Sequence, residues 1–134
     1  MGKARTGTKS AEVTLDAGAL IALDRGDRRM IALIEQVLDS GGGFHVPAGA
    51  LGQAWRNGAR QATLARFVRG TEVQVVPLDE PLSRACGELL AATRTSDVID
   101  ASVVIVARKN PGLIVTSDAA HLALLDRKAV LVRV

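Results

Sequence analysis

The sequence has 134 residues, of which 48% are hydrophobic and 23% charged, and its net charge is +3. This composition excludes an intrinsically disordered chain, and the length predicts one domain with one hydrophobic core. Because there is no tyrosine, with only two phenylalanines and one tryptophan, base stacking on aromatic side chains is excluded as the main mode of nucleic-acid binding. The positive charge permits a polyanionic partner.

Residues 1–10 are polar and rich in Gly, Lys, Arg, Ser and Thr, which predicts a flexible N-terminal tail before a domain spanning residues 11–134. The tail lacks the apolar segment of a signal peptide, and no stretch reaches the roughly 18 apolar residues of a membrane span. The single cysteine, Cys86, cannot form an intrachain disulfide, as is typical of the reducing cytoplasm. We therefore expect a cytoplasmic protein.

Strands and helices alternate in the predicted secondary structure. In chain order, we predict strand 12–15, helices 18–23 and 28–38, strand 44–46, a helix starting at Pro47, helix 60–68, strand 73–76, helices 81–93 and 97–109, strand 113–116, helix 119–126 and strand 130–134. This alternation is typical of a parallel sheet covered by helices, because parallel neighbours need crossover connections. The sequence therefore predicts an α/β fold.

Aspartates lie where predicted strands end or predicted helices begin. Asp16 and Asp118 each follow an apolar strand, and the carboxyl ends of parallel strands are where α/β sheets bind ligands. Asp97 and Asp100 are three residues apart, so they share one face of a helix. Carboxylates that converge repel one another unless a cation neutralises them, and oxygen ligands select Mg²⁺ or Mn²⁺. The pattern predicts a divalent-metal site.

Helix capping is the alternative explanation for these aspartates. An aspartate at a helix N-cap stabilises a protein by about 0.5–2 kcal/mol without any further function. Asp97 and Asp100 resemble a loose capping box, and Ser117 is as suitable a cap for the last helix as Asp118. The metal site is favoured because three separate elements bring carboxylates to the same edge of the sheet.

Three segments carry a more specific pattern: Leu15–Leu23 near the start, Asp97–Ala101 in the last third, and Val115–Asp118 before the last helix. Together they resemble the motifs of PIN domains, specifically of VapC-type toxins. The resemblance implies a three-layer α/β/α fold with a central, mostly parallel sheet over residues 11–134. It also implies a metal-dependent endoribonuclease with Asp16, Asp100 and Asp118 as catalytic residues and metal ligands, a homodimer, and inhibition by a cognate antitoxin.

One position departs from the family's pattern. The family usually has a glutamate on the helix after the second strand, and Gln53 stands at the matching position. A carboxamide oxygen can bind a metal or orient its water, but it adds no negative charge. Asp97, as an additional acid, can supply the missing carboxylate as a metal ligand, and the hydroxyl of Thr116 or Ser117 can join the metal shell or hold a carboxylate in place.

Two other functions compete with an active nuclease. With Gln53 in place of the acid, the chain can be a catalytically weakened PIN-fold module that binds RNA or a protein without cutting. A phosphohydrolase with an aspartyl nucleophile is disfavoured, because Gly18 stands where that chemistry needs a second acid after Asp16. His121, one turn beyond Asp118, is within reach of the site, but we interpret it as a partly buried helix residue.

Overall fold

The computed structural model describes residues 11–134, so the predicted tail of residues 1–10 lies outside the described residues. The strands are β1 (Glu12–Leu15), β2 (Gly43–Pro47), β3 (Val73–Val76), β4 (Leu113–Thr116) and β5 (Val130–Arg133). The helices are α1 (Ala17–Asp24), α2 (Arg28–Asp39), α3 (Ala48–Ala54), α4 (Ala62–Val68), α5 (Glu80–Thr93), α6 (Val98–Lys109) and α7 (Ala119–Leu125). None of these helices is both long and apolar enough to cross a membrane.

All strands join one parallel sheet in the order β3-β2-β1-β4-β5. The chain builds the sheet outward from β1 in one direction through β2 and β3, and then returns to add β4 and β5 on the other side. A reversal of this kind leaves a crevice beyond the carboxyl ends of the two strands at the switch point, here β1 and β4. The predicted α/β class with a central parallel sheet is confirmed.

The sheet divides the predicted single core into two. Successive side chains of a strand point to opposite faces, so Val13, Leu15 and Val115 pack beneath α1, α2 and α4. Ile114 packs on the other face, beneath α5, α6 and α7. Helices thus cover both faces, which confirms the three-layer arrangement and buries the central strands, as parallel sheets require.

The predicted start of α4 is wrong by two residues, since the helix begins at Ala62 rather than at Arg60. The side chain of Gln61 explains the difference. Its Oε1 accepts the backbone N–H groups of Arg56 (2.7 Å) and Asn57 (2.8 Å), and its Nε2 donates to the carbonyl of Ala54 (2.9 Å). These bonds stabilise a turn before the helix, and turns that use side-chain amides in this way compete with helix formation.

Candidate metal and nuclease site

Asp16 lies directly after β1 and caps the N-terminus of α1. Its carboxylate accepts the Ala19 N–H at 2.9 Å, and it also accepts hydrogen bonds from the Thr116 hydroxyl and from the N–H groups of Ser117 and Gly18. Only 6% of the residue is exposed. Burial raises the pKa of Asp16, and these hydrogen bonds offset the rise only in part. The fold therefore holds this carboxylate firmly in a place that disfavours its charge.

Asp118 follows β4 and caps α7, accepting the backbone N–H of His121 at 3.3 Å. The N–H of Asp118 itself donates to the Oγ1 of Thr116 at 2.8 Å. The Thr116 side chain is fully buried, and its hydroxyl donates to Asp16. One hydroxyl group therefore links the acid after β1 to the acid after β4, the two strands at the switch point. The predicted role of Thr116 at a metal site stays a prediction.

Asp97 and Asp100 come from the start of α6. Asp97 is the N-cap, and its carboxylate accepts the N–H groups of Ile99 and Asp100, both at 3.0 Å. Burial, as the largest cause, together with the charges of Asp97, Asp16 and Asp118, raises the pKa of Asp100 to about 6 against the opposing effect of His121. The predicted aspartates therefore lie close enough to repel one another.

Capping and clustering are both present in the structure. Asp16, Asp97 and Asp118 each cap a helix, as the alternative explanation expected. The same three side chains also contribute to the electrostatic field at Asp100. Capping uses only part of the acceptor capacity of a carboxylate. The caps therefore leave oxygen lone pairs for a cation.

Ser117 lies beside Asp16 in this cluster, and Gln53 lies on α3, which packs against α6. The N–H of Ser117 donates to Asp16, and its side chain lies against Gly18, where a Cβ would be 2.5 Å from the Ser117 Cβ. Gln53 is on an exposed part of α3, one turn beyond Gly49, where a Cβ would approach Ile99 of α6 to 3.1 Å. Residues four apart share a helix face, so Gln53 is on the α6 side of α3. Its part in a metal shell stays a prediction.

His121 belongs to the site more closely than its sequence context indicates. Its Nε2 is 3.3 Å from Oδ2 of Asp100. Asp100, Asp118 and His121 each offer a ligand atom, and these atoms all lie within 4.8 Å of one another. The sequence indicates this position only through spacing, because His121 is three residues after Asp118 and residues three apart share one face of a helix. A lone histidine in a helix gives no other sign of this contact.

The donor set fits a divalent cation. Among residues 11–134, no arginine or lysine forms an ion pair with any of the four aspartates. The side chain that lies against one of them is His121, beside Asp100. A raised carboxyl pKa without a neighbouring arginine or lysine is the electrostatic state that a bound metal ion would relieve. Asp16, Asp100 and Asp118 supply hard oxygen ligands of the type that Mg²⁺ and Mn²⁺ prefer.

Sequence comparison finds no matching family model and no matching curated protein. Solved structures are similar in fold. VapC20 of Mycobacterium tuberculosis, described as a sarcin–ricin-loop-cleaving toxin, is 21% identical over 75% of this chain and 84% of its own, with a TM-score of 0.56. VapBC2 of Rickettsia felis, solved with a DNA fragment from its promoter, is 12% identical over 91% and 98%, with a TM-score of 0.63. PAE2754 of Pyrobaculum aerophilum is 20% identical over 92% of both chains, with a TM-score of 0.60.

These likenesses extend over most of each chain, and they agree with the α/β fold and its central parallel sheet. At identities this low they describe the fold. The chain therefore has the PIN-domain fold of VapC-type toxins.

Proposed function

We propose that this chain is a Mg²⁺- or Mn²⁺-dependent endoribonuclease and the toxin of a toxin–antitoxin pair. The observation that carries the proposal is the convergence of Asp16, Asp97, Asp100 and Asp118 at the carboxyl ends of β1 and β4, which contributes to the raised pKa of Asp100. Three separate elements bring these acids together, and helix capping alone does not require that they meet. A PIN-type fold around such a cluster favours nuclease chemistry.

Asp16, Asp100 and Asp118 would hold the metal, with Asp97 as a further acid and Gln53 or Ser117 at its border. A metal bound there supplies Lewis-acid chemistry, because it lowers the pKa of a water and neutralises charge on the attacked phosphate. The buried hydroxyl of Thr116 bonds to the Asp16 carboxylate and accepts the backbone N–H of Asp118, so it fixes these two residues relative to each other. No side-chain nucleophile is needed, and the products would carry a 5′-phosphate and a 3′-hydroxyl.

RNA is the substrate that the comparisons favour, since VapC20 is described as cleaving the sarcin–ricin loop. The net charge of +3 suits a polyanionic substrate. VapBC2 was solved bound to promoter DNA, and a cognate antitoxin for this chain follows by analogy. We also propose that the chain forms a homodimer and is located in the cytoplasm.

Cleavage of a structured RNA in vitro tests the activity. We expect cleavage with Mg²⁺ or Mn²⁺, no cleavage in EDTA, and recovery when the metal is restored. Asp16→Asn, Asp100→Asn and Asp118→Asn should each abolish cleavage while the protein stays folded. Asp27→Asn is the matched control, because Asp27 caps α2 by accepting the Met30 N–H at 2.9 Å, and asparagine caps equally well.

The possible results separate the proposal from its rivals. Cleavage that persists in EDTA would contradict metal dependence. Tight RNA binding without turnover at any metal concentration would favour the weakened binding module that the uncharged Gln53 allows. For the toxin role, growth arrest on expression should be relieved by the three aspartate variants and by co-expression of an adjacent antitoxin gene.

A further inference from the structure

Within residues 11–134, the Nε2 atom of His121 has no hydrogen-bond partner. The atom is buried, and although it lies 3.3 Å from Oδ2 of Asp100, the angles between the two groups do not make a hydrogen bond. A buried nitrogen that bonds to nothing is costly. It also faces the acids of the proposed metal site, since it lies 3.3 Å from Oδ2 of Asp100 and the ligand atoms of His121, Asp100 and Asp118 all lie within 4.8 Å of one another.

Helix geometry explains why the imidazole is directed there. Side chains of an α-helix lean toward its N-terminus, and the N-terminus of α7 is at Asp118 beside the carboxyl end of β4. The backbone N–H of His121 donates to the Asp118 carboxylate at 3.3 Å. The hydrogen bond that caps the helix therefore fixes the position from which the ring reaches toward Asp100.

We propose that His121 is a metal ligand through Nε2, so that this site has a mixed nitrogen and oxygen shell and prefers a first-row transition ion to Mg²⁺. The inference rests on the proposed metal-dependent function and deepens it by naming a ligand and a class of metal. Mg²⁺ takes oxygen ligands almost exclusively, whereas imidazole suits transition ions. Asp100 and Asp118 supply the oxygen ligands, and His121 supplies the nitrogen.

Mn²⁺ is the probe, because its electron spin reports directly on bound nitrogen. Untagged full-length protein is titrated with Mn²⁺ at pH 8, above the usual imidazole pKa of about 6.5, and free Mn²⁺ is counted by electron paramagnetic resonance. Electron spin echo envelope modulation of the bound ion should show a directly coordinated ¹⁴N nucleus. Protein grown with ¹⁵N-labelled histidine should show ¹⁵N instead, which assigns the signal to an imidazole.

The chain contains two histidines, so the assignment can be completed with two variants. His121→Gln should remove the nitrogen signal and weaken Mn²⁺ binding by roughly 10–100-fold, the range in which groups around a metal tune its affinity. Mg²⁺ affinity, measured by competition, should change by much less. His45→Gln is the control, because His45 lies on β2 with its Nε2 2.7 Å from Glu12, and it should keep the signal.

The possible outcomes test separately whether His121 is a metal ligand and whether the aspartates bind a metal. Stoichiometric Mn²⁺ binding without coupled nitrogen, or with a signal that survives His121→Gln, would overturn the role of His121 and leave the aspartate site intact. The imidazole would then be an ionic partner of Asp100. A wild-type protein that binds no Mn²⁺ would overturn both this inference and the metal-dependent function.

Discussion

Asp100→Asn should stabilise the metal-free protein at neutral pH while it abolishes metal binding. The pKa of Asp100 rises from 3.8 to about 6 on folding, first because the group is buried and then because of Asp97. Between these values the folded chain binds a proton that the unfolded chain has released. The free energy of unfolding therefore falls as the pH rises through this window.

The size of the effect follows from the shift. One pKa unit corresponds to about 1.36 kcal/mol, so a rise from 3.8 to about 6 makes the ionised carboxylate cost up to about 3 kcal/mol above pH 7. The Asp100 side chain is 23% exposed, and burying an amide also has a cost. We therefore expect Asp100→Asn to raise the free energy of unfolding by about 1–2 kcal/mol at pH 7.5, and by roughly a third of that at pH 4.5.

Urea denaturation in EDTA at these two pH values measures the effect. Asp126→Asn is the control of opposite sign. Burial alone would raise the pKa of Asp126, but the Lys128 N–H and Arg108 hold it below its usual value, so losing that charge should destabilise the fold. Saturating Mg²⁺ should then stabilise the wild type and not Asp100→Asn. A loss of stability in Asp100→Asn that is the same at both pH values would refute the reasoning.

Four further substitutions test the surroundings of the site. Gly18→Ala should lower the free energy of unfolding by about 1–3 kcal/mol, measured with urea, because the new methyl group would overlap the Ser117 side chain; an unchanged stability would contradict this close contact. If Gln53 is in the metal shell, Gln53→Glu should strengthen Mg²⁺ binding, measured by calorimetry, by about 1–3 kcal/mol. If Asp97 already replaces the missing acid, Gln53→Glu should leave Mg²⁺ affinity unchanged, and Asp97→Asn should weaken Mg²⁺ binding as much as Asp100→Asn does. Thr116→Val keeps the buried volume but removes the hydroxyl that bonds the Asp16 carboxylate and the backbone N–H of Asp118. Metal affinity should therefore fall more than stability does, and equal losses would indicate a purely structural role.

The strands could be predicted because each is a short apolar run between polar or glycine-rich segments. The placement of Asp16 and Asp118 could be predicted for the same reason, since each follows such a run. The order of the strands could not, because the pairing of β1 with β4 depends on contacts between distant residues. Local pattern therefore located the acids along the chain, and only the tertiary structure shows that they meet.

Two details of the site could not be predicted from the sequence. A carboxylate at a helix start serves equally as cap and as ligand, so pattern alone could not show that Asp97 accepts two backbone N–H groups while it also acts on Asp100. The approach of His121 to Asp100 depends on the packing of α7 beside α6. Helical spacing relates His121 to Asp118 on its own helix, but it carries no information about a neighbouring helix.

The sheet order also determines when the site forms during synthesis. Val13 of β1 pairs with Leu113 of β4, so the ribosome releases β1 long before its partner strand. A nascent chain that ends before β4 has already produced Asp16 and Asp100, but it lacks Thr116, Asp118 and His121. Domains with such distant pairings complete their folding late. A nascent chain of the proposed toxin therefore cannot assemble the complete acidic site until β4 and α7 have been synthesised.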